Sequence, residues 1–258
     1  MGFWRPSKSC LFVIPDIHGM HDQLQLILNR ILPLRNTKNS KDHLVFLGDY
    51  MDRRVMSPET LDLVIEAKED HPDQVTCLMG NHELLLLNAI KPEADVDEYL
   101  MWMKNGGAET LQGYLKRAGS DMQPYDVLRR DVHRFIPKEH LSFLESLENY
   151  YETDEYIFVH GGCDPYCALD FQPQKLLAWD RSVYSNMKIA KAYQAKCDWE
   201  KIIVTGHNGE YHGNAFIYDK FMMLDGSYKD KINVMEMNSR ELFSARKGKK
   251  RLVKEPIT

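Results

Sequence analysis

Cys10-Leu11-Phe12-Val13-Ile14-Pro15-Asp16-Ile17-His18-Gly19 is an apolar run that stops on a carboxylate, an imidazole and a glycine. A short apolar run bounded by turn residues reads as a buried strand. The pattern returns at 43–47 before Gly48-Asp49-Tyr50-Met51-Asp52-Arg53, at 75–79 before Gly80-Asn81-His82-Glu83, at 156–159 before His160-Gly161-Gly162, and at 201–205 before Gly206-His207. A strand that ends at a glycine turn presents its last side chains at the carboxyl edge of a sheet, where open α/β sheets gather ligands. Together the blocks offer Asp16, His18, Asp49, Asn81, His160 and His207. This nitrogen and oxygen set, free of cysteine, suits two borderline divalent ions better than a thiolate-bound structural zinc.

Outward from these blocks the chain alternates strand and helix. Leu24, Leu26, Ile27, Leu28, Ile31 and Leu32 recur at mostly helical spacing until Pro33, and 58–70 opens with Pro58 and keeps Leu61, Val64 and Ile65 on one face. This is the rhythm of a layered α/β fold with a largely parallel sheet. The segment 84–150 reads as a helical insert over one end of the sheet, without a ligand-like cluster of its own, suited to wall a substrate cleft. Strands return at 214–218, 221–224 and 231–236. Tight turns at Asp219-Lys220 and Asp225-Gly226 predict antiparallel hairpins there. The expected fold is α/β, two packed mixed sheets with outer helices, as one domain over 1–240. The basic run at 246–251 suggests a solvated tail over 241–258.

Composition bounds the function. The chain has 258 residues, 43% of them hydrophobic and 28% charged, with a net charge of −5. That fits a globular protein and gives no bulk electrostatic case for a nucleic-acid partner. Cys10, Cys77, Cys163, Cys167 and Cys197 form an odd set without small-scaffold spacing, as expected of reduced thiols. A zinc clip at Cys163 and Cys167 lacks partners. The run behind Arg5 and Lys8 is too short for a signal-peptide core, Pro6 stands where a myristoylation signal at Gly2 needs Ser or Thr, and no segment approaches the roughly 18 apolar residues of a membrane span. A cytoplasmic location is expected.

The chemistry follows from the donor set. Two ions about 3.5 to 4 Å apart can clamp the attacking and leaving oxygens of an in-line displacement at phosphorus and ionise a bridging water. Such a pair needs an anionic bridge, and Asp49 is the natural candidate. Asp16 and His18 could face one ion, leaving Asn81, His160 and His207 for the other. His82, expected on the opposite side of the strand end from Asn81, would be the general acid, with Asp52 holding its tautomer. Arg53 offers a planar fork to phosphate oxygens, and Arg181, after Trp179-Asp180, could close the clamp. By contrast His71, His133, His140 and His212 end no apolar strand at a glycine, and His21 and His43 read as structural or surface residues.

In this order the blocks resemble the calcineurin-type metallophosphoesterases, and within them the phosphoprotein phosphatase branch. The likeness runs from Leu11 to about Gly226. Trp102, Asn105-Gly106-Gly107, Thr110-Leu111 and Tyr114 are similar to the helical insert of small bacterial and phage serine/threonine phosphatases and symmetrical diadenosine tetraphosphatases. The resemblance implies a four-layer αββα sandwich, the ligand and catalytic roles given above, and two ions, manganese or iron with zinc. The implied activity is hydrolysis of phosphomonoesters by a metal-bridging hydroxide, of the serine/threonine phosphatase type. Alternatives are a dinucleoside polyphosphate hydrolase and a non-catalytic scaffold, whose mark would be lost ligands. The implied partner is a phosphorylated protein or nucleotide, with no membrane. Arg54 replaces a glycine after Asp52-Arg53, Met79 stands where an arginine is usual, and Asn208-Gly209 replaces Thr-Pro. Arg54 therefore becomes a candidate extra cation for the substrate.

Overall fold

The computed structural model describes residues 9–209 and 213–256; Gly2, Arg5, Pro6, Lys8 and His212 lie outside them. In chain order the elements are β1 (Leu11–Ile14), α1 (His21–Ile31), the small hairpin β2 (Asn36–Thr37) and β3 (Ser40–Lys41), β4 (His43–Phe46), α2 (Ser57–Asp70) and β5 (Val75–Cys77). The insert contributes α3 (Asn81–Ala89), α4 (Val96–Trp102), a kinked turn (Met103–Gly107), α5 (Ala108–Arg117) and α6 (Lys138–Glu145). There follow β6 (Tyr150–Glu152), β7 (Tyr156–Val159), α7 (Gln174–Trp179), α8 (Ser182–Tyr193), β8 (Ile202–Thr205), β9 (Phe216–Tyr218), β10 (Phe221–Met223), β11 (Lys231–Glu236), β12 (Glu241–Arg246) and β13 (Val253–Lys254).

Two mixed sheets form, in the orders β13-β12-β11-β1-β4-β5 and β6-β7-β8-β10-β9. Strands β1, β4 and β5 run parallel, as do β7, β8 and β10, and the antiparallel strands flank them. Strand alternation sorts the apolar residues into three buried layers. Val13 and Val45 of one sheet meet Phe158, Val204 and Met222 of the other, forming the seam between sheets. Phe12, Ile14, Leu44 and Phe46 point the opposite way, onto Leu24, Ile27, Leu61 and Val64 of α1 and α2. Val159, Ile203, Phe221 and Met223 cover α7 and α8 through Leu177, Val183 and Met187. Three apolar interfaces between helices, sheet, sheet and helices make a four-layer αββα sandwich.

The structure corrects several sequence expectations. Residues 241–246 are no tail: β12 pairs with β11 along its whole length, from Lys231↔Arg246 to Glu236↔Glu241, and buries Leu242 and Ala245. The basic residues that suggested a tail are concentrated in the turn between β12 and β13, where charge masks the short alternation before it. Asp225-Gly226 closes no hairpin, because β10 and β11 belong to different sheets; Asp219-Lys220 does join the antiparallel pair β9 and β10. Strand β6 was hidden at the end of the insert. Among the described residues no helix is long and apolar enough to cross a membrane.

Candidate metal centre

The five strand-end blocks converge at one rim of the seam. The turn after β1 is laced to the turn after β4: the amides of Ile17 and His18 donate to Asp49 O at 2.9 and 2.8 Å, and Gly19 N donates to Tyr50 O. Asn81 and His82 are not strand-end residues but the first turn of α3, which turns both toward the hollow. Glu83, at the third position of that helix, accepts from Gly80 N (3.0 Å), Asp49 N (2.8 Å) and Tyr50 N (2.9 Å). One carboxylate thus caps the helix and ties its start to the Asp49 turn. Gly80 is required by contact: a Cβ there would lie 2.2 Å from Asp49 Oδ1.

His18, Asp49, Asp52, Arg53 and His207 have positive φ, between 46° and 69°. Five of the nine such non-glycine residues among those described are therefore expected site residues. Strain of this kind gathers where surrounding structure over-determines a functional geometry.

All six expected ligands are buried. His18 Nδ1 lies 2.9 Å from Met51 O and His160 Nδ1 2.9 Å from Leu47 O, so each ring donates its Nδ1–H to the backbone and leaves Nε2 for another task. His18 Nε2 is 3.4 Å from Asp49 Oδ2 and 3.8 Å from Asp16 Oδ2. His160 Nε2 is 3.3 Å from Asp49 Oδ1 and 3.0 Å from Asn81 Oδ1. Asp16 Oδ1 accepts from His207 N at 2.8 Å. Two groups, His18 with Asp49 and His82, and Asp49 with His160 and His207, each place their candidate donor atoms within 4.8 Å of one another. Asp49 is common to both. His18 Nε2 and Asp49 Oδ2 are buried with no hydrogen-bond partner, an arrangement costly without a cation to occupy it. The donors fit a pair of divalent ions.

Electrostatics follows the same geometry. Burial alone would raise Asp49, but His160 and His82 hold it well below the usual carboxylate range. Burial pulls His160 down, yet Asp49 and Asp16 together carry it up to about 10. Asp16 is raised well above its ordinary value by burial and by Asp225. Burial and the neighbouring His160 push His207 down to about 3, which leaves it a neutral imidazole, and Arg181 Nε donates to its Nε2 at 3.1 Å.

Beside the hollow, His82 Nδ1 lies 2.8 Å from Asp52 Oδ2. Asp52 Oδ1 in turn accepts from Thr110 Oγ1 (2.8 Å) and Trp102 Nε1 (3.2 Å). Burial lowers His82, but Asp49 and Asp52 outweigh it and raise its pKa. Arg53 Nη2 sits 3.1 Å from His82 Nε2. Arg54 donates to His18 O at 2.9 Å and pairs with Asp230. Its guanidinium braces the turn that carries His18. The insert also does more than wall a cleft, since Trp102 and Thr110 fix Asp52.

Sequence reasoning gave no role to Glu83 or Asp225. Glu83 carried a helix-cap signal. Asp225 ends the apolar run 221–224 before Gly226, the same grammar as the five blocks, and is buried with its carboxylate accepting from Ser227 N at 2.7 Å. His140, expected to be bland, is buried between Tyr114 OH (2.7 Å) and Asp62 (2.8 Å). All five cysteines are free.

Fold and site together define a metal-binding α/β sandwich with its ligands at the rim between two sheets. The chain belongs to the calcineurin-like phosphoesterase family, whose profile matches residues 11–234. Serine/threonine-protein phosphatase SIT4 of Candida albicans is 38% identical over 80 residues, which make up 31% of this chain and 25% of that protein. The match thus spans a quarter of the curated relative. A crystal structure of a candidate diadenosine tetraphosphatase superposes with a TM-score of 0.61 at 15% identity, covering 91% of this chain and 92% of that one. A cold-active protein-tyrosine phosphatase from a Shewanella species gives 0.55 at 17% identity, covering 97% and 82%. At these identities the likeness concerns the fold.

Proposed function

We propose that the protein is a dinuclear-metal-dependent phosphoesterase that hydrolyses phosphomonoesters, a serine/threonine phosphatase-like enzyme. The observation that carries this reading is Asp49, shared by two candidate ligand groups, with its Oδ2 and His18 Nε2 buried without a hydrogen bond. Asp16, His18 and Asp49 would hold one ion, and Asp49, Asn81, His160 and His207 the other, with manganese, or iron with zinc, the ions that suit such donors. When bound, the ions supply Lewis acidity at the phosphoryl oxygens and an ionised water.

This chain's residues supply the rest. Arg53 and Arg181, on opposite sides of the hollow, orient the phosphate oxygens. His82, whose pKa is raised by Asp49 and Asp52, is the general acid that gives a proton from Nε2 to the leaving oxygen once Arg53 has turned to the phosphate. Asp52 fixes the tautomer that makes this transfer possible. Five free cysteines support a reducing, cytoplasmic compartment. Manganese-supplemented hydrolysis of p-nitrophenyl phosphate should be abolished in Asp49→Asn; full activity in that variant would sink the reading. A dinucleoside polyphosphate hydrolase is the second reading, favoured by the cationic cleft beside Arg53, and chromatography of the products from diadenosine tetraphosphate separates the two.

A further inference from the structure

The sequence placed an extra cation beside the phosphate grip at Arg54, but that side chain is committed to Asp230 and to His18 O. Another cation stands on the far side of Arg53. A cleft of about 440 Å³ is lined by Arg53, Lys104, Asn105, Glu109 and Tyr125, among others. Part of its lining comes from the kinked turn Met103–Gly107 between α4 and α5, where Gly106 leaves helical geometry.

The turn is built against the phosphate-gripping arginine. Gly106 O accepts from Arg53 N at 3.0 Å, and Gly106 has φ of 108°. A Cβ on Gly106 would lie 2.3 Å from Arg53 N, so only glycine allows this approach. Lys104 and Asn105 are therefore held at a fixed offset from Arg53. In the segment from Trp102 to Thr110, Trp102 and Thr110 already hold Asp52 and Gly106 and Gly107 serve packing. Asn105 is left on the surface, its amide anchored by Nδ2 donating to Met101 O at 2.7 Å, with the second N–H open. Lys104 is exposed and makes no ion pair or hydrogen bond among the described residues. Two cations, an amide and one carboxylate, that of Glu109, line a cleft that begins at Arg53.

We propose that this cleft is a second anion subsite, in which Lys104 and Asn105 take a phosphoryl group adjacent to the scissile one. The inference rests on the phosphoesterase reading and extends it to substrates with neighbouring phosphoryl groups. Glu109 limits the charge the cleft accepts, which fits one further phosphoryl group better than a long polyanion.

The test compares methylenediphosphonate with methylphosphonate, a non-hydrolysable pair with two phosphonate groups and one, as competitive inhibitors of p-nitrophenyl phosphate hydrolysis at buffered free manganese. Wild type should bind the diphosphonate more tightly, and Lys104→Ala should raise its Ki about five- to tenfold while moving that of methylphosphonate less than about twofold. Lys104→Arg should restore most of the difference. An unchanged ratio in Lys104→Ala, or an equal rise for both inhibitors, overturns the subsite. If wild type hydrolyses no p-nitrophenyl phosphate, the phosphoesterase reading fails. The subsite is then judged by calorimetric titration of the same two ligands into the manganese-loaded wild type and Lys104→Ala, where equal ratios reject it.

Discussion

At the scale of single residues, the positions that matter most are those that hold another group still. Asp52 is fully buried; it receives hydrogen bonds from Thr110 and Trp102 and presents its other oxygen to His82. Asp52→Asn keeps the shape but gives up the charge that raises His82. We expect kcat for an alkyl phosphate, whose leaving oxygen needs a proton, to fall by about two to four orders of magnitude. The loss for p-nitrophenyl phosphate should be far smaller, and an equal loss for both would reject the general-acid assignment. Glu83 is the second such residue. Its carboxylate serves three backbone amides at the junction of two ligand loops. Glu83→Gln puts an amide donor against at least one of them, at a cost of about 1 to 3 kcal/mol. Urea denaturation should register that cost together with a weaker uptake of metal, and a variant with wild-type stability and metal content would count against it.

At the scale of elements, the insert is fastened to the sandwich through a few atoms whose replacement has definite consequences. Gly106→Ala would drive a methyl into Arg53 N and would hold alanine at a φ it rarely adopts. The combined strain should cost about 2 kcal/mol or more, and relief by movement of the turn would displace Arg53. Steady-state kinetics should show KM rising, with circular dichroism unchanged at low temperature; an unaltered KM would mean that the turn does not position the arginine. The helices of the insert were legible from apolar spacing, but their attachment was not. Nothing in the spacing of Trp102 and Thr110 says that both reach one carboxylate at Asp52, because that convergence exists only after α4 and α5 have packed.

For the whole molecule, pH offers a check that needs no substrate. Burial, with Lys41 and Lys68 nearby, holds His43 down at about 4, against roughly 6.5 in an unfolded chain. Between those values the unfolded chain binds more protons than the native one, so stability contributed here rises with pH from about 4 to about 6.5 and is level above. His43→Gln should flatten that slope in denaturation curves taken across the window; an unchanged slope would assign the effect elsewhere. The parallel strands and the convergence of the six expected ligands could be read from the sequence because each obeys a local rule, an apolar run that ends in a turn. Asp225 obeyed it too, yet was read as a hairpin, since only the three-dimensional path reveals that β10 and β11 part into different sheets. The short alternation of β12 was lost beneath the charge of the turn that follows it. The seam has one more consequence. Apolar contact between the sheets is non-directional and tolerates sliding, whereas His160 Nδ1 to Leu47 O and His207 N to Asp16 Oδ1 cross it at set lengths. His160 and His207 thus act as the alignment pins of the sandwich, and a methyl trimmed from Val204 deep in the seam would be felt at the rim as a change in the spacing between candidate donors.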